Sequence, residues 1–276
     1  MTIAEVRPTA VRGLTVLLVA TAAATVVVEV LNYRYAPEHG LGLAVRTGWA
    51  LVRTLGWLIL IWHVRRARAA AKPLGLILAV TTVFAVGRLV VPPEGAPPPA
   101  GLIGFGVLTA LCVTVVALLY RHPTVSAHLV RHPKKLVLTR EGVAWQEAAP
   151  RRTPVAGWLI TARVSAFTYS PLMLVPCLIA VGELGEKPEF VLAVVFWFAA
   201  GIGASYVVLL TTFFLLRGKP WARRLLIFET AGVLVIHLPL CFLLLGTDGL
   251  IRDGAPLVAA AILTVYAVWR VSATRT

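Results

Sequence analysis

Asparagine is nearly absent from this sequence, since Asn32 is the only one in 276 residues. Cysteine is also scarce, and none of Cys112, Cys177 and Cys241 forms a CxxC pair or a zinc-ligand spacing. We therefore interpret the cysteines as small core residues and predict no metal site. Walker A, GxSxG, HExxH and paired DxxD motifs are missing as well. No cofactor is predicted, and an enzyme is the less favoured class.

Acidic residues are few: 12 Asp and Glu oppose 26 Lys and Arg, which gives a net charge of +14. Such a basic chain often binds nucleic acid. Here the cations lie in short loops between apolar segments, so they indicate membrane orientation and no nucleic-acid partner is predicted. The chain is 59% hydrophobic, with a mean hydropathy of +0.85. The excess of Arg over Lys and the abundant Ala and Val are typical of GC-rich bacterial genes.

Long apolar runs dominate the remaining sequence and predict an all-α integral membrane protein. A membrane span needs about 20 mostly apolar residues, and these runs lack the alternation of a barrel strand. About eight segments qualify, the last of them short: Gly13–Leu31, Ala44–Val64, Leu74–Val91, Leu102–Tyr120, Ala156–Val181, Phe190–Leu216, Leu225–Leu245 and Pro256–Trp269. Cleavage of the first segment near Ala22 or Ala24 is the alternative to an uncleaved span, which we favour because the apolar run continues to Val28.

The charges of the connections alternate along the chain and predict the topology. The even-numbered connections are basic. Between spans two and three lie Arg65, Arg66, Arg68 and Lys72, and between spans six and seven lie Arg217, Lys219, Arg223 and Arg224. The odd-numbered ones are mildly acidic, with Glu94, then Glu183, Glu186 and Glu189, then Asp248 and Asp253. Because Lys and Arg concentrate in cytoplasmic loops, we expect a multi-pass plasma-membrane protein with both termini in the cytoplasm.

The longest polar run divides the chain into two membrane halves of four spans each. Residues 1–120 form the first half, 121–154 a basic cytoplasmic linker and 155–276 the second half. Both halves have a tight basic turn between their second and third spans, which predicts a parallel internal repeat. An alternative is that the similar turns arose by chance.

The linker combines cations with a short pattern of β-branched and aromatic residues. LVLTREGVAW, residues 136–145, predicts a small β-hairpin, which is marginal unless it packs on the membrane domain or on a partner. The cations favour anionic inner-leaflet lipids. The candidate lipid or partner contacts are Lys134, Lys135, Arg140, Trp145, Arg151 and Arg152. The simpler interpretation is a tether that only signals topology.

Polar residues inside spans are costly and are therefore candidate functional residues. Glu29, Asn32, Arg53 and Arg88 lie toward the predicted outer face of the first half. They could line an outward-facing pocket in which Glu29 pairs with Arg53 and Arg88 meets an anionic group. The alternative is a structural pair, with Arg88 reaching the lipid headgroups.

A second group lies in the second half of the chain. Arg163 and Glu229 have matching predicted depths, which suggests an interhelical ion pair. His237 follows Glu229 by two helical turns, and the two could form part of a proton relay. A structural histidine that bonds a neighbouring helix is the alternative.

These features predict a transporter-like protein or the membrane subunit of a complex. A membrane-embedded enzyme acting on a lipid or isoprenoid is the second hypothesis, with Glu29 or Glu229 as the acid–base group. The third is a scaffold that docks a protein partner on the linker. No motif in the chain identifies a family.

Overall fold

A computed structural model describes residues 9–35, 40–90, 96–129, 134–139, 142–147, 154–185 and 187–273. Apart from one hairpin, these residues are mainly helical. The helices are α1 (Thr9–Arg34), α2 (Leu41–Arg65), α3 (Ala71–Ala85), α4 (Pro99–Arg121), α5 (Pro123–His128), α6 (Pro154–Phe167), α7 (Tyr169–Glu183), α8 (Val191–Leu216), α9 (Pro220–Gly249) and α10 (Ala255–Ala273). Single 3₁₀ turns lie at Gly87–Leu89 and Pro188–Phe190, and a π-helical turn, Leu250–Gly254, joins α9 to α10.

Six helical stretches within the described residues are long and apolar enough to cross a membrane. They are Thr9–Arg34, Leu41–Arg65, Pro99–Arg121, Gly157–Glu183, Pro188–Leu216 and Pro220–Ala273. The predicted class of multi-pass helical membrane protein agrees with this architecture, but the predicted count of eight spans is not confirmed. The third predicted span contributes only the 15-residue α3, and the last two fall within one 54-residue stretch.

Large apolar side chains occupy both the interior and the circumference. One buried cluster, with Trp57 and Leu108 fully or almost fully enclosed, comes from α1 to α5. A second cluster, with Tyr169 and Trp197 at its centre, comes mainly from α6 to α10. Side chains such as Phe228, which is 73% exposed, cover the outside. An exposed apolar circumference around a packed interior is what a lipid environment allows, because lipid tails are as apolar as the side chains that face them.

The two packed regions meet along α2, α3 and α7. The first turn of α2 approaches the last turn of α7 closely. A Cβ atom placed on Gly182 would lie 3.4 Å from the Cβ of Leu41. Helix α3 is shared between the two regions, since it packs on α2 and α4 and also on α6 and α10. The beginning of α2, the end of α3 and the end of α9 lie at one end of the bundle, where ion pairs and a hydrogen bond join them.

The end of α9 departs from regular helix. Gly246 has φ 67° and ψ −162°, a backbone conformation that is essentially restricted to glycine. The π-helical turn follows, and such turns are rare and often occur at functional sites. This irregular segment positions Asp248, Arg252 and Asp253 at the junction of the two packed regions.

The described part of the basic run contains a two-stranded antiparallel hairpin. Strand β1, Lys134–Thr139, pairs with β2, Gly142–Glu147, in a register that sets Leu136 opposite Trp145. The division into two four-span halves joined by a cytoplasmic linker stays a prediction, as does the internal repeat.

Candidate functional site: a buried charge network

Three of the four predicted residues of the first half lie together. Glu29 and Asn32 are separated by about one turn of α1, so both face α2, and the exposed fractions of Glu29, Asn32 and Arg53 are 7%, 1% and 4%. Nη2 of Arg53 is 3.8 Å from Oε2 of Glu29, and Nδ2 of Asn32 donates to Oε1 of Glu29 at 3.1 Å. Glu29 is therefore held between a guanidinium group and an amide.

The irregular end of α9 contributes further charges to the same place. Nη2 of Arg46 lies 3.7 Å from Oδ2 of Asp253, and its Nη1 lies 3.9 Å from Oδ2 of Asp248. Arg252 donates from Nη1 to Oδ2 of Asp248 at 3.1 Å. Arg46 belongs to α2, so these ion pairs join the two packed regions. We call Glu29, Arg46, Arg53, Asp248, Arg252 and Asp253 the charge network.

Arg252 also fixes the end of α3. Its Nη2 donates to the carbonyl oxygen of Ala85, the last residue of that helix, at 3.3 Å. A cation at a helix carboxyl end is favoured by the helix dipole as well as by the hydrogen bond. The side chain of Arg252 is only 5% exposed, so the guanidinium group ties three elements together away from solvent.

The charge network is electrically balanced, with three carboxylates against three guanidinium groups. Several of its buried polar atoms nevertheless have no hydrogen-bond partner among the described residues: Nε of Arg53, Nε of Arg252, Nη1 of Arg46 and Oδ2 of Asp253. Buried polar atoms are normally satisfied, so unsatisfied ones call for an explanation. The network therefore has spare donors but no excess of positive charge for a bound anion.

A small cavity adjoins the network. Its volume is about 20 Å³, which accommodates about one water molecule. The lining residues come from both packed regions: Glu29, Asn32, Arg46, Trp49, Arg53, Thr81, Ala85, Leu172, Val175, Pro176, Arg252, Asp253 and Pro256. A lipid headgroup or small organic acid needs far more space. In this conformation the site is closed to such ligands.

Arg88, the fourth predicted residue of this group, follows α3 in the 3₁₀ turn Gly87–Leu89. Its side chain lies outside the described part of the structure. The expected meeting of Arg88 with an anionic group therefore stays a prediction.

The structure does not bring Arg163 to Glu229. Arg163 is exposed on α6, and its guanidinium carbon lies 5.3 Å from the centre of the Phe167 ring. Both carboxylate oxygens of Glu229 are buried and lack a hydrogen-bond partner among the described residues. The expected interhelical ion pair is absent from the part of the chain that is described, because the Arg163 side chain lies against an aromatic ring of its own helix.

His237 is fully buried and packs against the π-helical turn. Its Nε2 lies 3.4 Å from the carbonyl oxygen of Asp253 and 3.4 Å from Sγ of Cys241, and its ring meets Trp197 edge-on at 5.4 Å. The helical rise places His237 about 12 Å along α9 from Glu229. His237 therefore supports the segment that carries Asp253, and the proton relay with Glu229 stays a prediction.

The predicted contacts of the basic run fall largely outside the described side chains. Lys134 and Lys135 lie in β1 and Trp145 in β2, where the structure describes the backbone pairing alone. Arg140, Arg151 and Arg152 lie outside the described residues. Binding of these residues to anionic lipids or to a protein partner stays a prediction.

The sequence analysis missed Arg46, Asp248, Arg252 and Asp253 as site residues. Arg46 lies seven residues before Arg53, a spacing that places both side chains on one face of α2. Asp248 and Arg252 have the i, i+4 spacing of a helical ion pair. Both spacings are visible in the sequence, but the acidic residues follow an apolar run and have the appearance of loop residues.

Comparison of the chain with protein-family models, with curated proteins and with solved structures finds no match. Among the described residues no group of three or more His, Cys, Asp and Glu side chains could hold a metal ion. Hypotheses about function therefore depend on the geometry of the charge network and of Glu229.

Proposed function

We propose that the protein is a transporter-like membrane protein in which the charge network closes one face of the pathway. The single observation that carries this proposal is the set of ion pairs between α2 and the end of α9. These pairs join the two packed regions beside a closed, water-sized cavity. By the charge alternation of the connections, the closed face is the outer face, and the membrane is the plasma membrane.

Ion pairs suit a closure that has to be reversible. The side chains of Arg46 and Asp253 are 16% and 13% exposed, so separating this pair would leave two largely shielded charges uncompensated. Water that enters as the regions separate can solvate the same groups, so that the open state is also accessible. An apolar contact of similar size gains no such stabilisation from water when its two surfaces separate. Nε of Arg53 and Nε of Arg252 have no hydrogen-bond partner among the described residues, and both residues line the cavity.

The irregular end of α9 supplies a segment that can move. Gly246 interrupts the regular backbone just before Asp248, and the π-helical turn follows it. Rearrangement there would separate Asp248 and Asp253 from Arg46 without unfolding the body of α9. Pathways that open on alternate sides commonly use discontinuous helices near their binding sites.

Accessibility of the cavity tests the closure directly. Thr81 lines the cavity and is 5% exposed, and its Oγ1 bonds only carbonyl oxygens of its own helix, so Thr81→Cys is a small change. Reaction with a membrane-impermeant thiol reagent is measured in right-side-out vesicles. The wild-type chain gives the background, because its three cysteines are buried. Thr81→Cys alone should react slowly, and adding Asp253→Asn should increase the rate several-fold.

Glu189→Gln combined with Thr81→Cys is the matched control, because Glu189 is an exposed acid outside the network. It should leave the slow rate unchanged. An unchanged rate in the Asp253→Asn variant, in protein that still elutes as a single species in detergent, would count against a closure held by charge. Transport itself is measured in proteoliposomes that contain a pH-sensitive dye, with imposed gradients of Na⁺, K⁺ or small organic acids. Absence of any response above that of empty liposomes would contradict the transporter assignment.

A further inference from the structure

Glu229 is an acidic residue that is not part of the charge network. It lies nine residues into α9, about 14 Å from the start of the helix by the helical rise. Its neighbours on the helix, Ile227 and Phe228, are exposed on the apolar circumference. Both carboxylate oxygens are shielded, and neither has a hydrogen-bond partner among the described residues.

No ion-pair partner of Glu229 is found in the described part of the chain. Helix α8, which packs on α9, carries no charged residue, and the group it presents is Thr211. The Oγ1 of Thr211 is buried beside the Glu229 carboxyl, and among the described residues it forms no hydrogen bond of good geometry. From α7 the facing titratable group is Tyr169, whose phenol bonds Oγ1 of Thr230 at 3.0 Å.

The remaining charges of the packed elements lie away from Glu229. On α10 the cation is Arg270, which lies over the rings of Trp158 and Tyr266. Near the start of α9 itself, Arg223 donates to the hydroxyl group of Ser272, and the neighbouring Arg224 is exposed. The charges of the π-helical turn, Arg252 and Asp253, belong to the charge network at the far end of α9.

An ionised carboxylate in such surroundings is strongly disfavoured, because burial of an unpaired charge has no compensating interaction. The neutral acid avoids this cost and gains a hydroxyl donor for nearby acceptors such as Thr211. Hydroxyl groups extend the polar region on the neighbouring helices, since Thr264 donates to Ser165 at 2.7 Å. A carboxyl group beside hydroxyl side chains is a suitable environment for a proton that is bound and released.

We propose that Glu229 is a proton-binding site within the membrane, occupied at neutral pH by one proton on its carboxyl group. A proton-coupled transporter needs such a group, and here it lies on α9, the helix that also carries Asp248 of the charge network. The assignment goes beyond the closure proposed above and is tested without any measurement of flux or of cavity access. Failure of either proposal is therefore visible separately.

The test is chemical labelling of the wild-type protein in membrane vesicles with dicyclohexylcarbodiimide. This hydrophobic reagent reacts with a protonated carboxyl group, and the O-acylisourea that forms rearranges to an N-acylurea, so that the protein gains the whole mass of the reagent. Peptide mass spectrometry then measures the label at each acid. At neutral pH, Glu229 should carry many-fold more label than Glu29, which is the matched internal control because it also lies within a candidate membrane span but is paired with Arg53. Labelling of Glu229 should decrease as the pH is made alkaline.

Each outcome decides the proposal. Label on Glu229 that exceeds label on Glu29 and declines at alkaline pH supports it, and Glu229→Gln should remove that label. Equal label on the two acids, or none on Glu229 while the protein unfolded in detergent labels at both, would overturn it. Protection of Glu229 by Na⁺ at constant pH would overturn it as well, because the bound species would then be a metal cation. Since the protein labelled is the native chain, poor folding of a variant does not affect the result.

Discussion

Two glutamates inside apolar helices, Glu29 of α1 and Glu229 of α9, illustrate opposite ways of accommodating an acid in a membrane protein. Glu29 receives a hydrogen bond from Asn32 and faces Arg53, so its negative charge is compensated. Glu229 has neither among the described residues, although both of its carboxylate oxygens are buried. The first therefore holds two helices together through its pairs, and we propose that the second exchanges a proton. The difference shows that depth in the membrane alone does not identify the role of an acid.

The charge network extends this contrast to the two ends of α9. At the end near Gly246, three acids meet three arginines, and the ion pairs join elements from both packed regions. In the part of α9 around Glu229, the helix packs through apolar and hydroxyl side chains. Substitutions that remove one charge should therefore have unequal consequences along the same helix.

The largest effect is expected from Arg53→Met, which leaves Glu29 ionised and unpaired in the interior. Removal of one partner of a buried pair typically costs about 3–5 kcal/mol. The measurement is thermal unfolding in detergent, with the fraction of protein that stays monodisperse as the readout. The double variant Glu29→Gln with Arg53→Met is the control, and it should recover most of the loss because no charge is then left alone. Equal instability of the single and double variants would indicate that packing of the arginine stem, and not charge, stabilises the pair.

Gly246→Ala should have the next largest effect. Its positive φ and extended ψ are essentially restricted to glycine, so alanine should cost about 1–3 kcal/mol or force a regular helix that displaces Asp248. Gly232→Ala is the matched control on α9, because a Cβ there meets nothing within 4 Å and the backbone angle is not positive. Unfolding temperature should fall for Gly246→Ala alone. A similar decrease in both variants would show that the irregular end of α9 has no special requirement for glycine.

Glu229→Gln should change stability little, by less than about 1 kcal/mol, because a neutral amide replaces a neutral acid of similar shape. Glu29→Gln provides the direct comparison and should destabilise strongly, since Arg53 then remains buried without a carboxylate. Parallel thermal unfolding of the two variants measures the difference. If both lose stability to the same extent, Glu229 is ionised and has a partner that matters for folding.

Arg163→Gln should have the smallest effect, within about 0.5 kcal/mol, because the side chain is exposed and lies on Phe167 of its own helix. Carbodiimide labelling of Glu229 should also be unchanged in this variant. An increase in labelling on removal of Arg163 would mean that the arginine approaches Glu229 in the membrane and helps to ionise it.

The class of fold and part of the site could be predicted from the sequence. Long apolar runs predicted membrane helices, because backbone groups in lipid must be satisfied within the helix itself. Glu29, Asn32 and Arg53 were predicted to lie together because intramembrane polar residues seek partners, and the structure places them within hydrogen-bond or ion-pair distance. Their functional role is still a prediction.

The rest of the network depended on tertiary structure. Asp248 and Asp253 follow a long apolar run and resemble loop residues, but the continuation of α9 through the π-helical turn carries them to Arg46. Arg163 and Glu229 have matching predicted depths but do not meet. Contact also requires that the two helices be rotated so that these side chains face each other. Rotation is determined by packing, and short apolar stretches give only a weak periodic signal for it.

One consequence concerns the thickness of the membrane. Helix α3 has 15 residues and rises about 22 Å, less than the hydrocarbon core of about 30 Å. Helices α2, α4, α6 and α10 surround it, and Arg252 binds the carbonyl oxygen of its last residue. Lipids therefore have little influence on how deeply α3 is inserted. A side chain of the π-helical turn holds its last carbonyl oxygen, so we expect a change in the ion pairs of Arg252 to shift the position of α3.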